Sequence, residues 1–159
     1  MQNILILEKQ DYNPNAVKLY KSCGNLFFDN YIAAEITTLI VRLKYYLDRD
    51  FLVNFPGLQY IVSPTTGLNH IDTTYCASVG IKILSLKNVS NSIKAVSSTA
   101  ELTLGLMIDV VRNITVASNS VQTELCWDRS LFRSRQLSEL SVGIVGLGRI
   151  GKQFAKYCD

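Results

Sequence analysis

The stretch SVGIVGLGRIGKQFAKYCD, Ser141 to Asp159, carries two overlapping glycine patterns. Gly146, Gly148 and Gly151 form G-x-G-x-x-G between an apolar run and a helical pattern, the dinucleotide fingerprint; Gly146 to Lys152 also forms G-x-x-x-x-G-K, most of a triphosphate loop. A triphosphate loop needs Ser or Thr after its lysine to ligate magnesium, and Gln153 stands there, so the dinucleotide pattern is the better match. On it, Gly146 makes the tight turn, Gly148 lets backbone approach a pyrophosphate, and Gly151 lets helix and strand pack closely. The N–H groups of Arg149 and Ile150 then face the anion, helped by the helix dipole.

Upstream, residues 1 to about 90 repeat a short β-branched run, a turn and a helical stretch. The strands expected are ILIL (4–7), NLFF (25–28), ITTLIVRL (36–43), QYIVSP (59–64) and IKILSL (81–86). Pro14 suits the first turn of a helix ending at Gly24, and further helices are expected near Asp48 to Phe55 and Asp72 to Val79. Such alternation predicts an α/β fold with a five-stranded, flavodoxin-like parallel sheet. SSTAELTLGLMIDVVRN (97–113) differs: Ser98 and Glu101 make a capping box, and Ala100, Leu104, Met107, Val111 and Ile114 recur at helical spacing. Leu102, Leu106, Ile108 and Val110 make its other faces apolar, which predicts a helix shared between domains or subunits, hence a homodimer. A polar loop then leads to SVGIVGL (141–147), read as a strand.

The 159 residues suffice for one full domain and part of another, with 48% hydrophobic and 18% charged residues. A net charge of +3 without a Lys/Arg block gives no source for nucleic-acid affinity. The N-terminal apolar run is too short for a secretory signal and no run reaches the length of a membrane span, so a cytoplasmic protein is expected. Cys23, Cys76, Cys126 and Cys158 are dispersed and His70 is the only histidine, so reduced thiols and no metal site are expected. Two glycosylation sequons, Asn88-Val89-Ser90 and Asn113-Ile114-Thr115, carry no meaning without export.

Three motifs in order, TTGLNHIDTTYCASVGIKIL, STAELTLGLMIDVVRNI and VGIVGLGRIGK, resemble the D-isomer-specific 2-hydroxyacid dehydrogenases, a family that includes phosphoglycerate, formate and D-lactate dehydrogenases. The resemblance covers roughly residues 36 to 159. It implies a flavodoxin-like substrate domain over 1–96, a long interdomain or dimerisation helix over 97–118, and the start of a Rossmann NAD-binding domain over 119–159. In TTGLN, the backbone N–H groups of Gly67 and Leu68 are then the holders of a substrate carboxylate, with Arg42 or Lys44 as a basic contact. The cofactor is NAD, with NADP not excluded; its binding residues are Gly146, Gly148, Arg149, Ile150 and Gly151, with Thr99 approaching the nicotinamide end.

Two departures stand against the family pattern. Ala95 holds a place where the family commonly has asparagine, and His70 lies in GLNHID, away from the family's catalytic acid, so it is read as a structural turn residue. The family's catalytic histidine, glutamate and arginine, and the acidic residue that selects NAD over NADP, are expected beyond Asp159. The expectation is an NAD(P)-dependent oxidoreductase acting on the CH–OH group of a D-2-hydroxy acid, inactive as this chain alone. The competing expectation is a non-catalytic module that binds a small carboxylate or dimerises.

Overall fold

The computed structural model describes residues 1–89 and 93–159, which divide into two compact units, Met1–Ser90 and Asn91–Asp159. The sequon ending at Ser90 falls partly outside the described residues.

The first unit is a five-stranded, all-parallel sheet built of β1 (Gln2–Ile6), β2 (Gly24–Phe27), β3 (Thr38–Ile40), β4 (Tyr60–Ser63) and β5 (Lys82–Ser85), in the order β2-β1-β3-β4-β5. This is the flavodoxin-like order, whose direction of winding reverses between β1 and β3. Each expected strand forms: β3, β4 and β5 are trimmed at their ends by one to three residues, while β1 and β2 begin two and one residues earlier than expected and end one residue sooner.

The intervening helices start where the sequence supplies caps. Helix α1 (Pro14–Cys23) opens with Pro at its first position, and the Asn13 side chain accepts the Asn15 N–H at 2.8 Å. Asp48 and Asp72 cap α2 (Arg49–Leu52) and α3 (Thr73–Val79), accepting the N–H groups of Phe51 and Tyr75, each at 2.8 Å. Strand residues alternate between two apolar layers. Leu5, Leu39, Val41 and Ile61 pack with Leu47, Leu52, Phe55, Ile71 and Cys76 on one face, while Ile4, Ile6 and Ile40 pack with Tyr12, Tyr20, Leu26 and Val62 on the other. Burial on both faces is what a parallel sheet requires.

In the second unit the helix read over 97–113 forms, whereas the span 97–118 implied by the resemblance is divided between two helices. Helix α4 (Ser98–Arg112) stops at Asn113, whose φ of 55° is left-handed, and α5 (Ile114–Thr123) begins directly after it. Asparagine tolerates this conformation better than other side-chain-bearing residues. The break is reinforced by Asp109, whose carboxylate accepts the Thr115 N–H at 2.7 Å and the Thr115 hydroxyl at 2.8 Å. The capping pair is displaced by one residue: Ser97, not Ser98, is the N-cap, and its hydroxyl donates to the Glu101 carboxylate.

The strand expected at 141–147 does not form among the described residues; only the short helix α6 (Arg149–Cys158) follows it. A parallel strand takes its hydrogen bonds from neighbouring strands, and the described part of this unit holds none. The segment instead lines a groove of about 430 Å³ with Leu104, Met107, Leu140 and Ala155, and Val145 is fully exposed. No helix among the described residues is long and apolar enough to cross a membrane, and no group of His, Cys, Asp and Glu among them could hold a metal ion. All four cysteines are free thiols.

Candidate functional site

In open α/β sheets ligands settle at the carboxyl ends of the strands where the winding reverses. Here that place is marked by Glu8, just past β1, whose residue is 0% exposed. Its carboxylate accepts the backbone N–H groups of Arg42 and, at 2.7 Å, of Lys44, both just past β3. Glu8 therefore shapes the turn that carries the two candidate basic residues. The side chains of Arg42 and Lys44 lie on the exposed surface, with the Lys44 ammonium 5.6 Å from the centre of the Tyr45 ring. Sequence reasoning missed Glu8, because a charge directly after a strand resembles a solvated end. The available signal was its phase: Ile4, Ile6 and Glu8 continue one alternation.

After β4 the chain enters the turn that holds Gly67 and Leu68. The Thr65 hydroxyl donates to the Gly67 carbonyl at 2.8 Å, and the Ser63 hydroxyl lies 2.8 Å from that of Thr65. The Ser63 hydroxyl is also 3.3 Å from His70 Nε2. Gly67 is exposed with open space where a side chain would be, whereas Leu68 is half-buried against the core. His70, 7% exposed, is anchored through its carbonyl, which accepts the Leu47 N–H at 2.7 Å; the Asp72 N–H returns to the Leu47 carbonyl at 2.9 Å. Burial pushes the His70 imidazole below its usual pKa, against a smaller upward pull from the Glu8 carboxylate. The only histidine of the chain is thus an interior group of this turn.

In the second unit the three fingerprint glycines occupy three different environments. Gly146 has φ +95°, a conformation that L side chains rarely adopt. A Cβ at Gly148 would meet nothing within 4 Å, and one at Gly151 would stand 2.2 Å from the Gly146 carbonyl oxygen. Tight turn, open approach and close packing therefore follow one another in the order a pyrophosphate-binding turn needs. Gly148 is the N-cap of α6, and Arg149 and Ile150 open its first turn, where N–H groups have no intrahelical acceptor. The residues present fit the pyrophosphate of a dinucleotide.

The side chain of Arg149 turns away from that role. Its guanidinium donates to the Val96 carbonyl at 2.7 Å, and Gln153 donates to the Lys94 carbonyl at 3.1 Å. Gln153, which stands where a triphosphate loop has its hydroxyl, is occupied in holding α6 to residues 94–96. Thr99 sits exposed in the first turn of α4, its carbonyl accepting the Thr103 hydroxyl at 2.8 Å.

Residues 104–159 match the family model described as D-isomer specific 2-hydroxyacid dehydrogenase, NAD binding domain. The chain is 29% identical to D-3-phosphoglycerate dehydrogenase of Methanocaldococcus jannaschii, over 96% of this chain and 30% of that protein. It is 30% identical to hydroxypyruvate reductase of Thermotoga maritima, over 79% of this chain and 39% of the relative. Among solved structures, D-lactate dehydrogenase from Aquifex aeolicus complexed with NAD and lactic acid shares the fold at a TM-score of 0.77 and 22% identity, covering 98% of this chain and 48% of that one. NAD-dependent formate dehydrogenase from Staphylococcus aureus in complex with NAD does so at 0.76 and 20%, covering 99% and 53%. The chain thus spans 30% to 39% of these two curated relatives. In sequence the chain is a relative of the D-isomer specific 2-hydroxyacid dehydrogenases, and its residues 104–159 carry the match to their NAD-binding domain.

Proposed function

We propose that this chain is part of an NAD(P)-dependent oxidoreductase acting on the CH–OH group of a D-2-hydroxy acid. In it, Met1–Ser90 holds the acid and Asn91–Asp159 begins the site for the dinucleotide. The observation that carries this reading is the succession of Gly146, Gly148 and Gly151 at the start of α6, within the segment that matches the NAD-binding family model.

In this reading the N–H groups of Arg149 and Ile150 donate to the pyrophosphate, and the helix dipole adds a favourable field for its charge. Gly148 leaves room for that approach, and Gly151 seats α6 on the turn. Thr99 approaches the nicotinamide end. The N–H groups of Gly67 and Leu68 hold the substrate carboxylate, and Arg42 and Lys44 add positive charge beside it. NAD(P), when bound, supplies the hydride acceptor or donor. Acid–base catalysis is not a role for His70, which is buried and has its Nε2 beside Ser63. In this reading the chain by itself binds the dinucleotide without turning over.

The apolar, exposed side chains of Leu102, Leu106 and Val110 on α4, and of Ile114 and Val116 on α5, support self-association as a homodimer. The test of the functional reading combines two measurements on one sample. Calorimetry with NADH and NADPH is expected to show binding of at least one, while absorbance with NADH plus pyruvate, glyoxylate or hydroxypyruvate shows no consumption of cofactor. Absence of binding by both cofactors would remove the dinucleotide reading, and turnover would remove the claim that the chain is inactive alone.

A further inference from the structure

The turn after β4 contains a chain of hydrogen bonds whose direction can be worked out atom by atom. The Gly67 carbonyl only accepts, so the single Thr65 hydroxyl proton is spent on it at 2.8 Å. Thr65 must then accept from Ser63, because two hydroxyl oxygens 2.8 Å apart with no proton between them repel. That spends the Ser63 proton in turn. At the 3.3 Å contact between Ser63 and His70, the imidazole Nε2 is left as the donor. His70 therefore carries its proton on Nε2, and all the bonds run one way: from His70 to Ser63, to Thr65, to the Gly67 carbonyl.

The far end of this relay sets a peptide plane. In a trans peptide the N–H of one residue points opposite to the carbonyl of the residue before it, and the chain contains no cis bond among the described residues. Tying the Gly67 carbonyl back to Thr65 thus turns the Leu68 N–H away from Thr65. That N–H donates to no described group. We propose that Ser63, Thr65 and His70 act as positioning residues whose one-way relay presents the Leu68 N–H to the carboxylate of a 2-keto or 2-hydroxy acid. The role at the carboxylate rests on the substrate-loop reading given above; the relay itself does not. His70 then has a use that its burial alone does not explain: its Nε2–H is the donor that completes a chain of bonds whose direction the Gly67 carbonyl sets.

Two measurements separate the relay from its use. Long-range nitrogen–proton spectra of the ligand-free protein are expected to show His70 protonated on Nε2 and not on Nδ1; protonation on Nδ1 would overturn the relay. Binding of glyoxylate and pyruvate, followed through the Leu68 amide resonance, is then compared in the parent, Thr65→Val and Thr65→Ser. Valine keeps the shape and removes the hydroxyl, so its affinity is expected to fall about tenfold, the effect of one well-placed hydrogen bond to a charged group. Serine restores it, and far-UV circular dichroism is the same in all three. Equal affinity in Thr65→Val and the parent overturns the positioning role. If the parent binds neither acid, the substrate-loop reading falls and takes the positioning role with it, while the tautomer spectrum still decides whether the relay exists.

Discussion

Gly151 lies so close to Gly146 that a Cβ on the first would stand 2.2 Å from the carbonyl oxygen of the second. The obstacle is backbone and not the far end of a flexible side chain that could swing aside. Gly151→Ala must therefore displace the first turn of α6 from the glycine turn. We expect a loss of about 1–3 kcal/mol in the stability of the second unit, typical of overpacking, together with loss of dinucleotide binding. Hydrogen exchange of the α6 amides reads the first effect; unchanged protection would contradict it.

The pH dependence of stability has one histidine to consider. Its folded-state pKa is lowered by burial, so the unfolded chain binds a proton at a higher pH than the folded one. Stability is then undiminished above the unfolded-state value of about 6.5 and falls as pH drops below it, levelling only beneath the folded-state value. Urea unfolding from pH 8 to 5 is expected to show this decline, with His70→Gln flattening it. A stability that rises as pH falls through that window would have the wrong sign.

The four thiols divide by exposure. Cys76 is 0% exposed and its pKa is raised, first by burial and then by the charge of Asp72. Cys23 and Cys158 are exposed and Cys126 is partly so. Since the thiolate is the reactive form, iodoacetamide should modify the latter three in the native chain and reach Cys76 only with unfolding. Mass spectrometry showing Cys76 labelled as fast as Cys23 would contradict the core described above.

Ile61 sits at the centre of the larger apolar layer at 0% exposure, on a strand with neighbours on both sides. Ile61→Ala should cost about 2–5 kcal/mol, the usual loss for emptying a well-packed aliphatic site. Chemical denaturation would check this, and a change below about 1 kcal/mol, the level of a typical surface change, would mean that the sheet is not the stabilising core.

How much of this was legible before the structure depends on where each signal resides. ILIL and QYIVSP lie on interior parallel strands and IKILSL on the edge strand β5, and their apolar runs name them. Asp48 and Asp72 announce their helices because a capping bond is local in sequence. Asn113 was passed over because the apolar spacing continues to Ile114, and periodicity does not register a single left-handed residue. SVGIVGL has the composition of a strand, but pairing is supplied by other strands, which its own residues cannot specify. At the candidate site, the spacing of the glycines was plain. Glu8 was not, since it joins a residue after β1 to residues after β3 that only the fold brings together; the bonds from His70 to Gly67 lie within residues 63 to 70, but spacing alone does not show how that turn aims its side chains.

The central claim is that the turn at Gly146 to Gly151 receives a dinucleotide, and Gly148→Val tests it most directly. At Gly148 the backbone is extended (φ −79°, ψ −159°) and nothing lies within 4 Å of a Cβ, so valine is tolerated by the fold. The same side chain would fill the space through which a pyrophosphate reaches the first turn of α6. Calorimetric titration with NADH and NADPH is expected to show binding by the parent and at least about tenfold weaker binding by the variant, roughly 1.4 kcal/mol, at an unchanged melting temperature. Equal binding by parent and variant, or binding by neither, would contradict the account.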